Sequence, residues 1–319
     1  MLSHLPFSKG GRGVGSWFIE SMKRPRARVY LFIFFTILIY HPVMLGLLHA
    51  WQKNHYYNHG FLIPLISCYL VYRSRAKLKN IERKSSLLGI VIALVGILIF
   101  VLDKYFSNVL LLSSVGMLIF IMGGILFTFG KDHLKAVLFP VLFLIFMLPI
   151  PEFFFDLVIG PLQLTASMIG KIILRFFGIP VLRDGVYLHL ASFSVEVDKT
   201  CSSMHSLIAL SALSFVIAYM MMDSIGEKVV IVASSIPLAI LANGFRLVLI
   251  ILLALWKGEM IFKSFFHPLS GKLFFLLALF ILVLEAELMK RVHRSLATVF
   301  SNGRLFGSEK RKRPVTSYK

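Results

Sequence analysis

Charged residues are scarce in this sequence. They make up 15% of its 319 residues, against about 25% in ordinary soluble proteins. Hydrophobic residues make up 58%, with 30 phenylalanines among them. This composition excludes a water-soluble globular domain. Many apolar runs reach the ~20 residues that a helix needs to cross a bilayer, so the sequence predicts an all-α polytopic integral membrane protein.

Acidic residues are the scarcer of the charged types, with 15 Asp and Glu against 34 Lys and Arg and a net charge of +19. Such an excess could indicate nucleic-acid binding, but the basic residues are not spread over the chain. Six lie in residues 1–28, six in 73–84 and nine in 290–319, all beside apolar runs. The positive-inside rule then predicts a multi-pass protein of the inner (plasma) membrane with both termini cytoplasmic. Anionic lipid headgroups, and not nucleic acid, are the expected partners of these segments.

Cysteine is rare as well, with Cys68 inside an apolar run and Cys201 just before another. A disulfide between them is not expected, and no Cys/His spacing typical of a metal site is present. The sequence therefore predicts no metal and no cofactor. The first apolar run, 29–50, is longer than the hydrophobic part of a cleaved signal peptide, which favours a retained signal anchor.

Internal repeats and Pro/Gly/Ser-rich linkers are missing, so we expect one membrane domain over 29–290. A basic cytoplasmic segment, 1–28, precedes it, and a basic cytoplasmic tail, 291–319, follows. Hydropathy and charge predict about eight transmembrane helices. They lie at 29–50, 59–72, 87–102, 109–129, 134–150, 201–221, 229–256 and 271–289.

Segment 157–177 is apolar but also carries Gln163, Lys171 and Arg175. If it crossed the membrane, the basic C-terminal tail would lie outside, against the positive-inside rule. We therefore predict a re-entrant or interfacial helix on the outer side. The stretch "VYLHLASFSVEVD", 186–198, alternates apolar and polar residues, which predicts a short β-hairpin on the outer face.

Arg246 lies within the predicted helix 229–256, where an arginine costs about 2.5–3.5 kcal/mol on insertion scales. A structural explanation is an ion pair with Glu285 or Glu287, although both acids lie toward the cytoplasmic end of the last helix. A functional role is the default for such a residue. Asn243, one turn earlier, is expected to orient the guanidinium.

Arg246 is predicted to lie in the outer part of its helix. Two further reactive residues are predicted on the same, outer side of the membrane. Cys201 opens a helix at the outer face beside Ser202, and a helix N-terminus favours a thiolate. His267 lies in the predicted last outer loop. Taken singly, the cysteine fits a packed apolar residue and the histidine an interfacial loop residue. Together, a thiolate, a proton carrier and a fixed cation are the groups of a cysteine protease or transpeptidase.

The same residues carry a resemblance to a known family over roughly residues 50–290. "YYNHGFLIPLISCYLVYRSR", "EVDKTCSSMHS", "NGFR" and "HPLSG" occur in that order. They resemble the motifs of the exosortase/archaeosortase family of membrane transpeptidases, in its bacterial branch. One departure is Ser203, where the family has a glycine after Cys-Ser, and this leaves the preferred substrate motif open.

The resemblance implies roles for the matching residues. Cys201 would be the nucleophile, Arg246 the stabilising cation and His267 the acid/base, and Ser202, Glu196 and His59 fall at supporting motif positions. It also implies the substrates: proteins with a C-terminal sorting tail of the PEP-CTERM type, made of a short motif, a transmembrane helix and an Arg cluster. The tail would be cut on the outer face and the protein passed to an unknown acceptor.

Three other interpretations stay open on the sequence alone. A transporter or channel could use Arg246 and Asn243 to bind an anion, with helices broken at Pro161 and Pro237. A non-catalytic scaffold for exopolysaccharide or lipid-linked export would not need Cys201. A protease using water as the acceptor would share every residue with a transpeptidase.

Overall fold

The computed structural model describes residues 25–197, 204–258, 260–261 and 265–309. The described chain is mostly helical, which confirms the predicted helical membrane protein, and it divides into two compact units with a boundary between Pro151 and Glu152.

The described residues of the first unit form six α-helices and two short 3₁₀ helices. They are α1 (Pro25–Lys53), a 3₁₀ helix (His55–Phe61), α2 (Leu62–Arg73), α3 (Arg75–Lys79), α4 (Leu88–Phe106), α5 (Leu110–Thr128), α6 (Lys131–Phe143) and a 3₁₀ helix (Leu144–Met147).

Glycines bring α4 and α5 into backbone contact. A Cβ added at Gly96 of α4 would lie 2.6 Å from the carbonyl oxygen of Gly116 on α5. One added at Gly123 would lie 2.4 Å from the backbone nitrogen of Ala93. Small residues of this kind let apolar helices approach closely where no hydrophobic effect drives their association.

Asp103 joins the end of α4 to the start of α5. Its side chain is 1% exposed. One carboxylate oxygen accepts the Val109 N–H at 2.8 Å, and the other accepts the Ser113 hydroxyl. These bonds satisfy an N–H at the start of α5 that has no partner within the helix. Asp103 is therefore a structural residue of the connection.

In the second unit, the part of the chain that the structure describes forms four α-helices and a small sheet. They are α7 (Glu152–Phe176), β1 (Val181–Asp184), β2 (Tyr187–Leu190), β3 (Ser194–Glu196), α8 (Met204–Met221), α9 (Ile225–Lys257) and α10 (Phe266–Glu309).

The sheet is antiparallel with the order β1-β2-β3. Strands β2 and β3 confirm the β-hairpin predicted within 186–198, but β1 was not predicted, because four residues are too few to show alternation. The apolar face of the sheet packs on α7 and α9 through a buried cluster that includes Leu188, Val195, Leu174 and Ile251.

Six helices of the described chain are long and apolar enough to cross a membrane. They are Arg28–Lys53, Leu88–Phe106, Leu110–Thr128, Leu157–Phe176, Ile225–Lys257 and Leu269–Ser295. The predicted eight spans are not confirmed, because α2 has 12 residues, α6 has 13 and α8 is apolar only over Ser206–Met221, fewer than the ~20 of a simple span. The six candidates instead include Leu157–Phe176 of α7, which was not predicted to span. Helix α7 continues unbroken through Pro161, and its predicted re-entrant or interfacial position stays a prediction.

Candidate active site

Helices α8, α9 and α10 enclose a narrow cleft in the second unit. Its polar lining comprises Ser206 of α8 and Asn243 and Arg246 of α9. The rest of the lining is apolar or small and includes Leu210, Ala239, Gly271 and Phe274. A few polar groups converging at the end of an apolar cleft are typical of a ligand or reaction site.

Arg246 reaches the surface of α10 at Gly271. A Cβ added to this glycine would lie 3.6 Å from the guanidinium carbon and 3.7 Å from Nε. The guanidinium therefore lies at van der Waals distance from the point where a side chain at Gly271 would begin. Arg246 is 11 residues before the end of α9, or about 16 Å along the axis. Arg246 thus lies in the C-terminal half of α9, and its predicted position in the outer part of the membrane stays a prediction.

Asn243 is 6% exposed and lines the same cleft one turn before Arg246. Residues three apart on a helix are neighbours on one face. The predicted proximity of the amide to the guanidinium is therefore consistent with the fold, while its orienting role stays a prediction.

The alternative ion pair for Arg246 is not supported. Glu285 lies 14 residues beyond Gly271 on α10, or about 21 Å along the helix. Its carboxylate accepts the Ser234 hydroxyl at 2.9 Å. Glu287 pairs with Arg291 on its own helix at 3.3 Å. Both acids thus have partners far from the cleft.

His267 lies in the first turn of α10, which begins at Phe266. The sequence-based placement in a loop is therefore wrong by a short margin. Proline is favoured in the first turn of a helix, so Pro268 belongs to α10 and the helix begins before it. Position 267 is one turn before Gly271, the residue that Arg246 contacts.

Cys201 and Ser202 lie outside the described residues, and so does Ser203. The residues on either side of this segment, Val197 and Met204, belong to the described part of the chain. The carbonyl oxygen of Val197 accepts a hydrogen bond from Gln163 Nε2 at 2.7 Å. On the other side, α8 begins at Met204, and Ser206 on its first turn lines the cleft.

Glu196 lies on β3 opposite Tyr187 of β2. Both side chains are exposed. The negative charge of Glu196 and its hydrogen bond to the Tyr187 hydroxyl raise the pKa of the tyrosine above its usual 10.0. Glu196 is not among the residues that line the cleft.

His59 belongs to the first unit and has a packing environment. It is 8% exposed, and its Nε2 lies 3.2 Å from the carbonyl oxygen of Phe146. Two neighbours make similar contacts: the Tyr57 hydroxyl donates to the Ile150 carbonyl at 2.8 Å, and Trp51 Nε1 donates to the Met147 carbonyl at 2.9 Å. These bonds fasten the end of α1 and the 3₁₀ helix 55–61 to the segment 146–150, which supports a structural role for His59.

Sequence reasoning missed two residues of the cleft. Gly271 was seen as a motif position, but a glycine in a helix gives no signal of which side chain it accommodates. Ser206 lies four residues after Ser202 in the sequence and carries no distinguishing pattern. Among the described residues, no group of three or more His, Cys, Asp or Glu side chains is placed to hold a metal ion.

Comparison with known proteins identifies the family to which this chain belongs. The sequence profile of the transmembrane exosortases matches residues 51–284. This range covers most of the chain and includes Cys201, Arg246 and His267. No curated protein and no solved structure matches the chain. Because the profile spans well over half of its length, the chain belongs to the transmembrane exosortase family.

Proposed function

We propose that this protein is a membrane cysteine transpeptidase that cleaves C-terminal sorting tails and transfers the protein to an acceptor. The substrates are proteins ending in a short motif, a transmembrane helix and an Arg cluster. Family membership supports this class of substrate. The reaction takes place on the outer face of the inner membrane, with both termini of the enzyme in the cytoplasm.

The contact between Arg246 and Gly271 carries the proposal. It joins α9 to α10 one turn after His267. The cleft beside it is also lined by Ser206 on the first turn of α8, five residues after Cys201 in the sequence. Helix α9 with Arg246 and the N-terminal turns of α8 and α10 therefore meet at this cleft, which supports the proposal that the three catalytic residues act together.

In the first half-reaction the Cys201 thiolate attacks the carbonyl carbon of the scissile peptide bond. A C–S bond forms, the carbonyl π electrons move to oxygen, and the Arg246 guanidinium stabilises the oxyanion. The C–N bond then breaks, and His267 protonates the departing amine. The tail leaves with a free amino terminus, and the protein remains on Cys201 as a thioester.

In the second half-reaction an acceptor amine attacks the thioester carbonyl. His267 accepts the proton of the attacking amine, a C–N bond forms, and the C–S bond breaks to restore the Cys201 thiolate. Water in place of the amine would give a free carboxylate and a C–O bond. The same residues serve both outcomes, so the acceptor decides between transfer and hydrolysis.

A co-expression experiment tests the proposal. A tailed substrate with an N-terminal tag is followed by size in membranes that contain the wild-type enzyme, Cys201→Ala or Cys68→Ala. Cys68 is a matched control, since it is an exposed free cysteine on α2. We expect tail removal with the wild type and Cys68→Ala, and none with Cys201→Ala at equal enzyme abundance.

The other candidate functions predict different outcomes. An anion transporter or a scaffold for export would leave tail processing unchanged in Cys201→Ala, and this result would overturn the proposal. A substrate adduct that hydroxylamine cleaves, formed by the wild-type enzyme and absent from both Cys201→Ala and His267→Ala, would identify the thioester and the proton donor of the step that forms it. Mass analysis of the product then separates an amine acceptor from water.

A further inference from the structure

Strand β3 forms one edge of the sheet, since the strand order is β1-β2-β3. Within the described part of the chain, no other strand pairs with its outer side. Edge strands present a row of backbone N–H and C=O groups that can pair with another extended chain. Ser194–Glu196 is short but exposed in this way.

The hydrogen-bond pattern fixes which backbone groups point outward. The Leu190 N–H donates to the Phe193 carbonyl at 2.9 Å, and the Val197 N–H donates to the Val186 carbonyl at 3.0 Å. In an antiparallel ladder, bonded and non-bonded pairs alternate. Residue 195 therefore faces β2, and the N–H and C=O groups of Ser194 and Glu196 face the open edge.

The edge is held rigidly beside the candidate active site. The side chains of Val195 and Val197 are buried against Leu247 and Val248, the two residues that follow Arg246 on α9. The bond from Gln163 to the Val197 carbonyl fixes the end of the strand. Because Cys201 follows Val197 by four residues, the edge is linked directly to the proposed nucleophile.

We propose that β3 binds the scissile segment of the substrate as an added strand, through the outward backbone groups of Ser194 and Glu196. The ligand is a polypeptide in an extended conformation, recognised by its main chain. This inference rests on the proposed function and specifies how the peptide bond is presented to Cys201. It also gives Glu196 a role through its backbone and not through its carboxylate.

Proline and alanine at position 196 separate the backbone from the side chain. Proline lacks an N–H and is tolerated on edge strands where that N–H points outward. Glu196→Pro would therefore keep the β2–β3 ladder but remove one bond to the substrate. We expect tail processing to fall about tenfold in Glu196→Pro, which corresponds to one lost hydrogen bond. Glu196→Ala keeps the backbone N–H and should therefore lose less processing than Glu196→Pro.

A proline scan of the substrate provides a second readout. Each residue of the segment before the tail helix is replaced in turn, and processing by the wild-type enzyme is measured. Successive residues of a strand point their backbone groups to opposite sides. We therefore expect loss of processing at every second position, a pattern that general unfolding of the substrate would not produce.

The outcomes distinguish failure of this inference from failure of the proposed function. Normal processing by Glu196→Pro at wild-type abundance would overturn strand addition while leaving Cys201 as the nucleophile. If Glu196→Pro does not accumulate, the substrate scan decides, and sensitivity without a two-residue period would overturn the inference. Processing by Cys201→Ala would remove the proposed function and this inference with it.

Discussion

Each of the two units places an ionisable side chain among its packed helices, buried at Asp103 and half-buried at Arg246, and the two side chains serve differently. Asp103 at the end of α4 accepts hydrogen bonds from Val109 and Ser113 within its own connection. Arg246 on α9 lies against Gly271 and lines a cleft. Whether an intramembrane charge is structural or functional thus depends on whether its neighbours leave the charged group accessible. The residue type alone does not decide this.

The largest expected effect comes from Arg246→Lys. A lysine keeps the positive charge but loses the planar fork of donors that matches an oxyanion. We expect tail processing to fall by about 10²–10³, the usual effect of removing one oxyanion donor. Product formation over time, normalised to enzyme in the membrane, measures this.

The control for this variant is Arg175→Lys, the same substitution at an exposed arginine on α7. It should keep processing within about twofold of wild type, since surface substitutions rarely matter. If Arg246→Lys were as active as Arg175→Lys, a positive charge alone would suffice at position 246, and the specific role of the guanidinium would be lost.

Asp103→Ala tests the structural side of the comparison. It leaves the Val109 N–H and the Ser113 hydroxyl without their acceptor, in a site that is 1% exposed. Each lost bond to a charged group is worth about 1.5–3 kcal/mol, so we expect a clear fall in thermal stability of the purified protein. Activity per folded molecule should stay unchanged.

The neighbouring Lys104→Ala serves as the matched control, because its bond to Asn108 at 2.8 Å is exposed. Its stability should shift by less than about 0.5 kcal/mol. A selective loss of processing in folded Asp103→Ala would contradict the purely structural role of Asp103, since it would give this residue a function.

The same substitution, glycine to alanine, is expected to destabilise the first unit at Gly96 and to be tolerated in the second unit at Gly271. At Gly96 the new methyl would meet the Gly116 carbonyl at 2.6 Å and the Phe120 nitrogen at 2.7 Å, both backbone atoms. We expect Gly96→Ala to destabilise the protein by about 1–3 kcal/mol through overpacking. At Gly271 the methyl would meet Arg246 at 3.6 Å, an ordinary contact, so Gly271→Ala should fold and remain active.

Gly271→Leu extends this pair, because a longer side chain would displace the guanidinium. We expect it to accumulate normally and to lose processing. Thermal unfolding and the tail assay, measured on all three glycine variants, separate the two effects. Equal destabilisation by Gly96→Ala and Gly271→Ala would show that the helix contact at Arg246 is as tight as that between α4 and α5.

A feature of this structure can be predicted from the sequence when a pattern over neighbouring residues encodes it. Hydropathy over 20 residues identifies helices such as α5 and α9, and alternation over 186–198 identifies β2 and β3. Alternation does not identify β1, because its four residues form a strand only through pairing with β2. The start of α10 was misplaced because Phe266 and His267 join the helix ahead of Pro268.

The candidate site shows the same limit. Arg246 and Asn243 stand out in the sequence because polar residues are costly in an apolar helix. Gly271 and Ser206 do not, because their importance comes from the helix that faces them. Glu285 illustrates the reverse case, since charge alone suggested a partner for Arg246. Its bond to Ser234 depends on the register of α9 against α10, which no local pattern specifies.

The smallest expected effect belongs to the Tyr187–Glu196 pair on the sheet. The raised pKa of Tyr187 keeps its hydroxyl protonated until the pH exceeds 10.0, so the bond to Glu196 persists across the neutral range. Both side chains are exposed, and such a bond contributes little to stability. We expect Tyr187→Phe to process tails within about twofold of wild type from about pH 6 to 9. A pH profile compared with that of Glu196→Pro measures this. If Tyr187→Phe lost as much activity as the proline variant, the side chains and not the backbone edge would bind the substrate.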